Sequence, residues 1–156
     1  MKLKLLYAFA LLFAISTFSA NAQSSKMQPL KLVKYNDNVK APLTSQELSF
    51  LKEVYADKLD AYVLDRPQKL KDLKNLLRNR ILIREMPELV GNTEKYKTLT
   101  DAGLFNAYNS ELAFDTSYNK NTFNVLKYNL EIHGRGSRIY RILNTNFFIV
   151  ILSQHQ

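Results

Sequence analysis

Apolar side chains fall at Leu48, Leu51, Tyr55, Leu59 and Tyr62, three or four residues apart. That spacing returns to one side of an α-helix every turn and predicts a single buried face. Just upstream, Thr44-Ser45-Gln46-Glu47 has the form of a capping box. The Thr44 hydroxyl accepts from the Glu47 amide while the Glu47 carboxylate reaches back. A helix over about Ser45 to Leu64 follows. The pattern restarts after Asp65-Arg66-Pro67, with Asp65 or Arg66 as cap and Pro67 in the first turn, where its missing N–H costs nothing. Leu70, Leu73, Leu76 and Leu77 form the buried face of a second helix ending near Arg80. The link between the two is short, which predicts an antiparallel helical hairpin.

Toward the other end the period changes to two. Leu126, Tyr128, Leu130 and Ile132 alternate with Lys127, Asn129, Glu131 and His133, which predicts a strand with one apolar and one polar face. Gly134-Arg135-Gly136-Ser137 reads as a hairpin turn, Arg138 to Leu143 as the return strand, Asn144-Thr145-Asn146 as the next turn and Phe147 to Leu152 as the last strand. That last strand is apolar on both faces, so it belongs inside a sheet, and an earlier strand must pair beyond it. Ile81-Leu82-Ile83 and Leu30 to Tyr35 are the candidates. Glu88 to Lys120 is irregular, with a short strand expected at Leu112-Ala113-Phe114. The expected class is α+β, a two-helix hairpin packed on a small antiparallel β-sheet formed mainly by the C-terminal strands.

The N-terminal pattern is of another kind. Lys2 and Lys4 precede an unbroken apolar run from Leu5 to Ile15, followed by small and polar residues ending Ala20-Asn21-Ala22. This is the order of a secretory signal peptide with a cut after Ala22. The apolar run is too short to span a bilayer as a helix, which takes roughly 18–20 residues. Residues 1–22 are therefore read as a cleaved signal, 23–43 as an extended leader and 44–156 as one α+β domain, periplasmic or secreted. The chain has no cysteine, so its core must hold the fold without disulfides.

Charge narrows the classes of partner. The 22 Lys and Arg outnumber the 14 Asp and Glu, and cleavage leaves the mature chain at about +6. The expected partners are an anionic envelope polymer, a membrane surface or a protein; export argues against nucleic acid. Lys71, Lys74 and Arg78 recur at i, i+3 and i+7 on the second helix, opposite the leucines, as a basic stripe. Arg135, Arg138 and Arg141 gather around the C-terminal hairpin, and Arg135 and Arg138 join the stripe as candidate binding residues. Tyr108 and Tyr118 are the tyrosines left free for display.

Catalytic and metal-binding patterns are absent from the sequence. Its histidines are His133 and His155, no G-x-S-x-G or S-x-x-K surrounds a serine, and there is no H-E-x-x-H or acidic calcium loop. Glu131 stands two residues before His133, where one strand face would let it orient the imidazole. No cofactor or metal is expected. The reading is a non-catalytic exported envelope protein that binds through a basic surface. The alternative is a small carboxylate-dependent hydrolase of an envelope polymer, since such chemistry needs only two carboxylates across a cleft.

Asn121 to Leu130 (Asn-Thr-Phe-Asn-Val-Leu-Lys-Tyr-Asn-Leu), Tyr140-Arg141 and Asn144 to Ile151 together resemble the tail of a group of small exported bacterial proteins without an assigned function. Members of that group carry Pro where Val125 stands and Asp near Leu143. The resemblance covers the last third of the chain, implies export and carries over no site residue.

Overall fold

The computed structural model describes residues 34–155. The signal segment, most of the leader and Leu30 to Val33 of the expected edge strand lie outside the described residues. Thr44 caps α1 (Ser45–Tyr55) as its sequence requires: Oγ1 accepts from the Glu47 amide at 3.1 Å, and Glu47 Oε2 accepts from the Thr44 amide at 2.8 Å. The α-helix then stops earlier than its apolar spacing predicts. Ala56 takes φ 46°, ψ −125°, which breaks the run into a 3₁₀ turn (Ala56–Lys58) and a π turn (Asp60–Leu64). Leu59 and Val63 nevertheless stay buried, because both turns wind in the same sense as the helix, while Tyr62, expected on that face, is 37 % exposed. Arg66 caps α2 (Pro67–Asn75) without a side-chain bond, and a π turn (Leu76–Arg80) carries the chain into β1 (Ile81–Glu85).

A four-stranded mixed sheet follows in the order β1-β4-β3-β2, with β2 Lys97–Thr98, β3 Arg138–Arg141 and β4 Phe147–Ile151. β4 lies between β1 and β3, antiparallel to both, with Ile81 opposite Ile151 and Tyr140 opposite Ile149. Its apolar residues on both faces suit that interior place. The β3–β4 turn is made by Asn144 at φ 59°, with Thr145 Oγ1 accepting from the Phe147 amide at 3.0 Å. Asparagine tolerates the left-handed region better than other side chains. β2 runs parallel to β3, which makes the sheet mixed where a wholly antiparallel one was expected. Thr98 and Asp101 form a second capping box at α3 (Leu99–Ala102).

The strand expected over Leu126 to Ile132 is not formed. Val125–Lys127 is a 3₁₀ turn capped by Asn124, whose side-chain oxygen accepts from the Leu126 amide. The chain beyond it is extended, and the alternation holds from Tyr128 on, with Tyr128 and Leu130 buried and Asn129, Glu131 and His133 exposed. It fails before that, where Lys127, expected on the polar face, is buried and Leu126 only half-buried because the chain is in the 3₁₀ turn. Its backbone bonds run to Gly103 and Phe105, however, and not to β3: Asn129 N donates to Gly103 O and Phe105 N to Lys127 O. Consequently Gly134-Arg135-Gly136-Ser137 is a loop leading into β3 and not the turn of a hairpin. Leu112-Ala113-Phe114 likewise forms no strand.

Two apolar clusters result. One holds Leu51, Val54, Tyr55, Leu59, Val63 and Leu73 from the helical part. The other holds Tyr140, Ile149 and Ile151 of the sheet beneath Phe123, Val125, Tyr128 and Leu130. Leu126 packs against both, so the irregular stretch 123–132 lies between helices and sheet, where direct helix-on-sheet packing was expected. A polar group pins that stretch. Asn124, fully buried, donates from Nδ2 to Phe50 O and Glu53 Oε2, both at 2.9 Å. Lys127, only 6 % exposed, pairs with Asp115 at 2.8 Å and Glu53 at 3.5 Å, and Asp115 also accepts from the Tyr128 hydroxyl. Burial and the Asp115 bond push the Tyr128 phenol well above its usual range.

Candidate functional site

The basic stripe of the second helix is largely turned to internal use. Lys74 is buried at 7 % exposure and donates to Ala41 O at 2.7 Å. Arg78 makes a bidentate pair with Glu47, both contacts 2.6 Å, and donates to the carbonyls of Asn38, Ala41 and Pro42. Arg78 holds the Glu47 carboxyl below its ordinary range. Asn36 and Asn38 meet Asn79, and Tyr35 donates to Asp72. Residues 35–42 are thereby fastened along α2. Of the three stripe residues, Lys71 alone is exposed.

The hairpin arginines stand apart from the helix. Arg135 is exposed on the loop before β3. Arg138 is exposed too and pairs with Glu131 at 3.0 Å, while Lys97 takes the other oxygen of Glu131 at 3.1 Å. Both cations hold the Glu131 carboxyl below its ordinary range. Glu131 is thus engaged away from His133 and does not orient it. Tyr108 and Tyr118 are not displayed: Tyr108 stacks on Tyr55 at 4.9 Å, and Tyr118 meets Phe147 at 4.6 Å. Among the described residues no three His, Asp or Glu side chains gather as a metal site, and no helix is long and apolar enough to cross a membrane.

The structure assembles a different place beside α2, with the Tyr35–Asp72 contact at its edge. A cavity of about 310 Å³ opens between α2 and residues 132–133, with Tyr35, Lys69, Asp72, Arg80, His133 and Gln154 at its polar edge. Arg80 is the unusual group. It is 8 % exposed, and its partners are carbonyls: Nε donates to Leu152 O at 3.0 Å and Nη2 to Ile132 O at 2.6 Å. No carboxylate pairs with it among the described residues, and no hydrogen bond engages Nη1 there. Burial lowers its affinity for the proton below the ordinary arginine value. A guanidinium taken out of water without a counter-charge is costly, so a bound anion there would offset that cost. Lys69 is half-buried, His133 exposed, and neither has a side-chain partner among the described residues. Asp72 is the one acid at the edge among those residues, and one of its oxygens accepts from both Tyr35 and Gln68. That bond raises the Tyr35 phenol above its usual range.

A second cavity of about 180 Å³ adjoins the first, sharing Lys69, Leu73, Leu76, Ile132 and His133 as walls. Its remaining lining is mainly apolar, with Val54, Tyr55, Phe105, Val125 and Leu130 from both clusters. Sequence reasoning passed over Arg80, though a signal existed. Arg80 stands seven residues after Leu73 and four after Leu76, so it falls on the helix's apolar stripe, where a charge is out of place. Comparison with known proteins finds no matching family, no matching curated protein and no matching solved structure.

Proposed function

We propose that this chain is an exported, non-catalytic protein of the bacterial envelope that works by binding an anionic group, and that its binding place is the cleft over Arg80. The observation that carries this reading is a nine-tenths-buried guanidinium without a carboxylate partner among the described residues, facing a cavity edged by Lys69 and His133. The basic character inferred from the sequence is kept, but its working residues move from Lys74 and Arg78 to Arg80 and Lys69. Lys71 and Arg135 remain as exposed charges that steer an anion toward the protein. The hydrolase alternative gains no support from Glu53 and Asp115, because both carboxylates converge on Lys127 instead of facing each other across a cleft. Export rests on the Lys2-to-Ala22 pattern.

The test is calorimetric titration of the exported, processed protein with a panel of anionic envelope components over a salt series, beside a Lys69→Glu variant. Binding that weakens with salt and drops at least about tenfold in the variant supports the reading. Equal binding by both proteins counts against it. Sequencing the N-terminus of the exported product checks the cut after Ala22.

A further inference from the structure

Resting on that reading, we infer that the cleft takes a small amphipathic acid: one anionic head on an apolar body no larger than a single aromatic ring or a chain of about six to eight carbons. The two cavities divide the work by chemistry. The outer one is lined by Arg80, whose Nη1 has no hydrogen bond among the described residues, and by Lys69, two cations suited to a carboxylate. The inner one, apart from the Lys69 and His133 walls it shares and Asn129, is lined by apolar and aromatic groups such as Val54, Phe105, Val125 and Leu130, which favour an apolar body over a strongly hydrated one. Their shared walls, Leu73 and Leu76 on one side and Ile132 on the other, make a head at Arg80 and a body in the inner chamber parts of one ligand.

Size sets the class. An apolar chamber of about 150 Å³ accommodates benzene, and the inner chamber measures about 180 Å³. Inorganic phosphate would fill the head position alone and leave the chamber empty. A long-chain fatty acid or a two-ring acid would exceed the apolar chamber. Asp72 adds selectivity by charge number: it stands at the same edge and disfavours a second negative charge on the ligand.

The experiment is a calorimetric series on the processed protein using straight-chain carboxylates from acetate to dodecanoate, with benzoate, inorganic phosphate and 1-octanol as comparators. The affinity is expected to rise about threefold to fourfold per methylene, to level off near eight carbons, and to exceed that for phosphate and octanol at least about tenfold. Lys69→Glu should weaken benzoate at least about tenfold without lowering the melting temperature of the free protein. Leu126→Phe, which narrows the inner chamber from a half-buried position, should weaken benzoate and octanoate while leaving acetate unchanged. If acetate or phosphate binds as tightly as octanoate, the amphipathic inference is overturned and the anion-binding reading stands. If no anion in the series binds, both fall.

Discussion

At the scale of single residues, one carboxylate takes three donors. Glu47 closes the capping box of α1 and holds Arg78 through both oxygens, and Arg78 in turn fastens the carbonyls of Asn38, Ala41 and Pro42. Arg78→Ala is expected to destabilise the protein by about 2–4 kcal/mol at neutral pH, because it leaves a mostly buried carboxylate unpaired. The sign of the pH dependence follows from the lowered proton affinity of Glu47. Its contribution is present above the usual carboxylate range and is lost as the pH falls through its depressed folded value. Denaturant melts at pH 7 and pH 3 should therefore show the penalty of Arg78→Ala shrinking in acid. A penalty unchanged at pH 3 would mean the arginine acts through its carbonyl bonds alone. The capping box was legible in four letters. The pairing with Arg78 was not, because it joins residues 31 apart and depends on how two helices meet.

At the scale of elements, the informative position is Ala56. Its φ of 46° and ψ of −125° belong to a region that glycine enters freely and alanine at a cost. Ala56→Gly should stabilise the protein by about 1 kcal/mol, read as a higher denaturation midpoint with unchanged slope. Were the helix continuous through this point, the same change would destabilise it by about that amount. The apolar spacing could not reveal the break, since 3₁₀ and π turns around Ala56 keep Leu59 and Val63 inside. The stretch after Phe123 shows the converse. Its two-residue alternation foretold burial from Tyr128 to His133, though not that of Lys127, and not what the backbone pairs with, because burial depends on a face and pairing on a partner. Gly103 and Phe105 supply that partner from an irregular region whose sequence carries no strand signal.

At the scale of the whole molecule, the two apolar clusters are joined by the stretch 123–132 and locked by a few polar groups. Asn124→Ala strips the Leu126 amide of its cap and leaves Phe50 O without its side-chain donor, all at a site shielded from water. It should cost about 2–3 kcal/mol and lower the melting temperature by several degrees. Far-ultraviolet and aromatic circular dichroism should still melt together if the clusters form one cooperative unit. Two separate transitions would show that the stretch does not bind them into one. The α+β class was legible because helical and strand periods occupy separate parts of the chain. The mixed sheet was not, since the two-residue β2 is too short to leave a pattern. The interior place of β4 also bears on the order of assembly. β1 and β3 are neighbours only through β4, so Ile81 waits unpaired until Ile151 has arrived. If the chain is exported as proposed, crossing a membrane as an unfolded thread, the sheet cannot close while β4 is still on the far side.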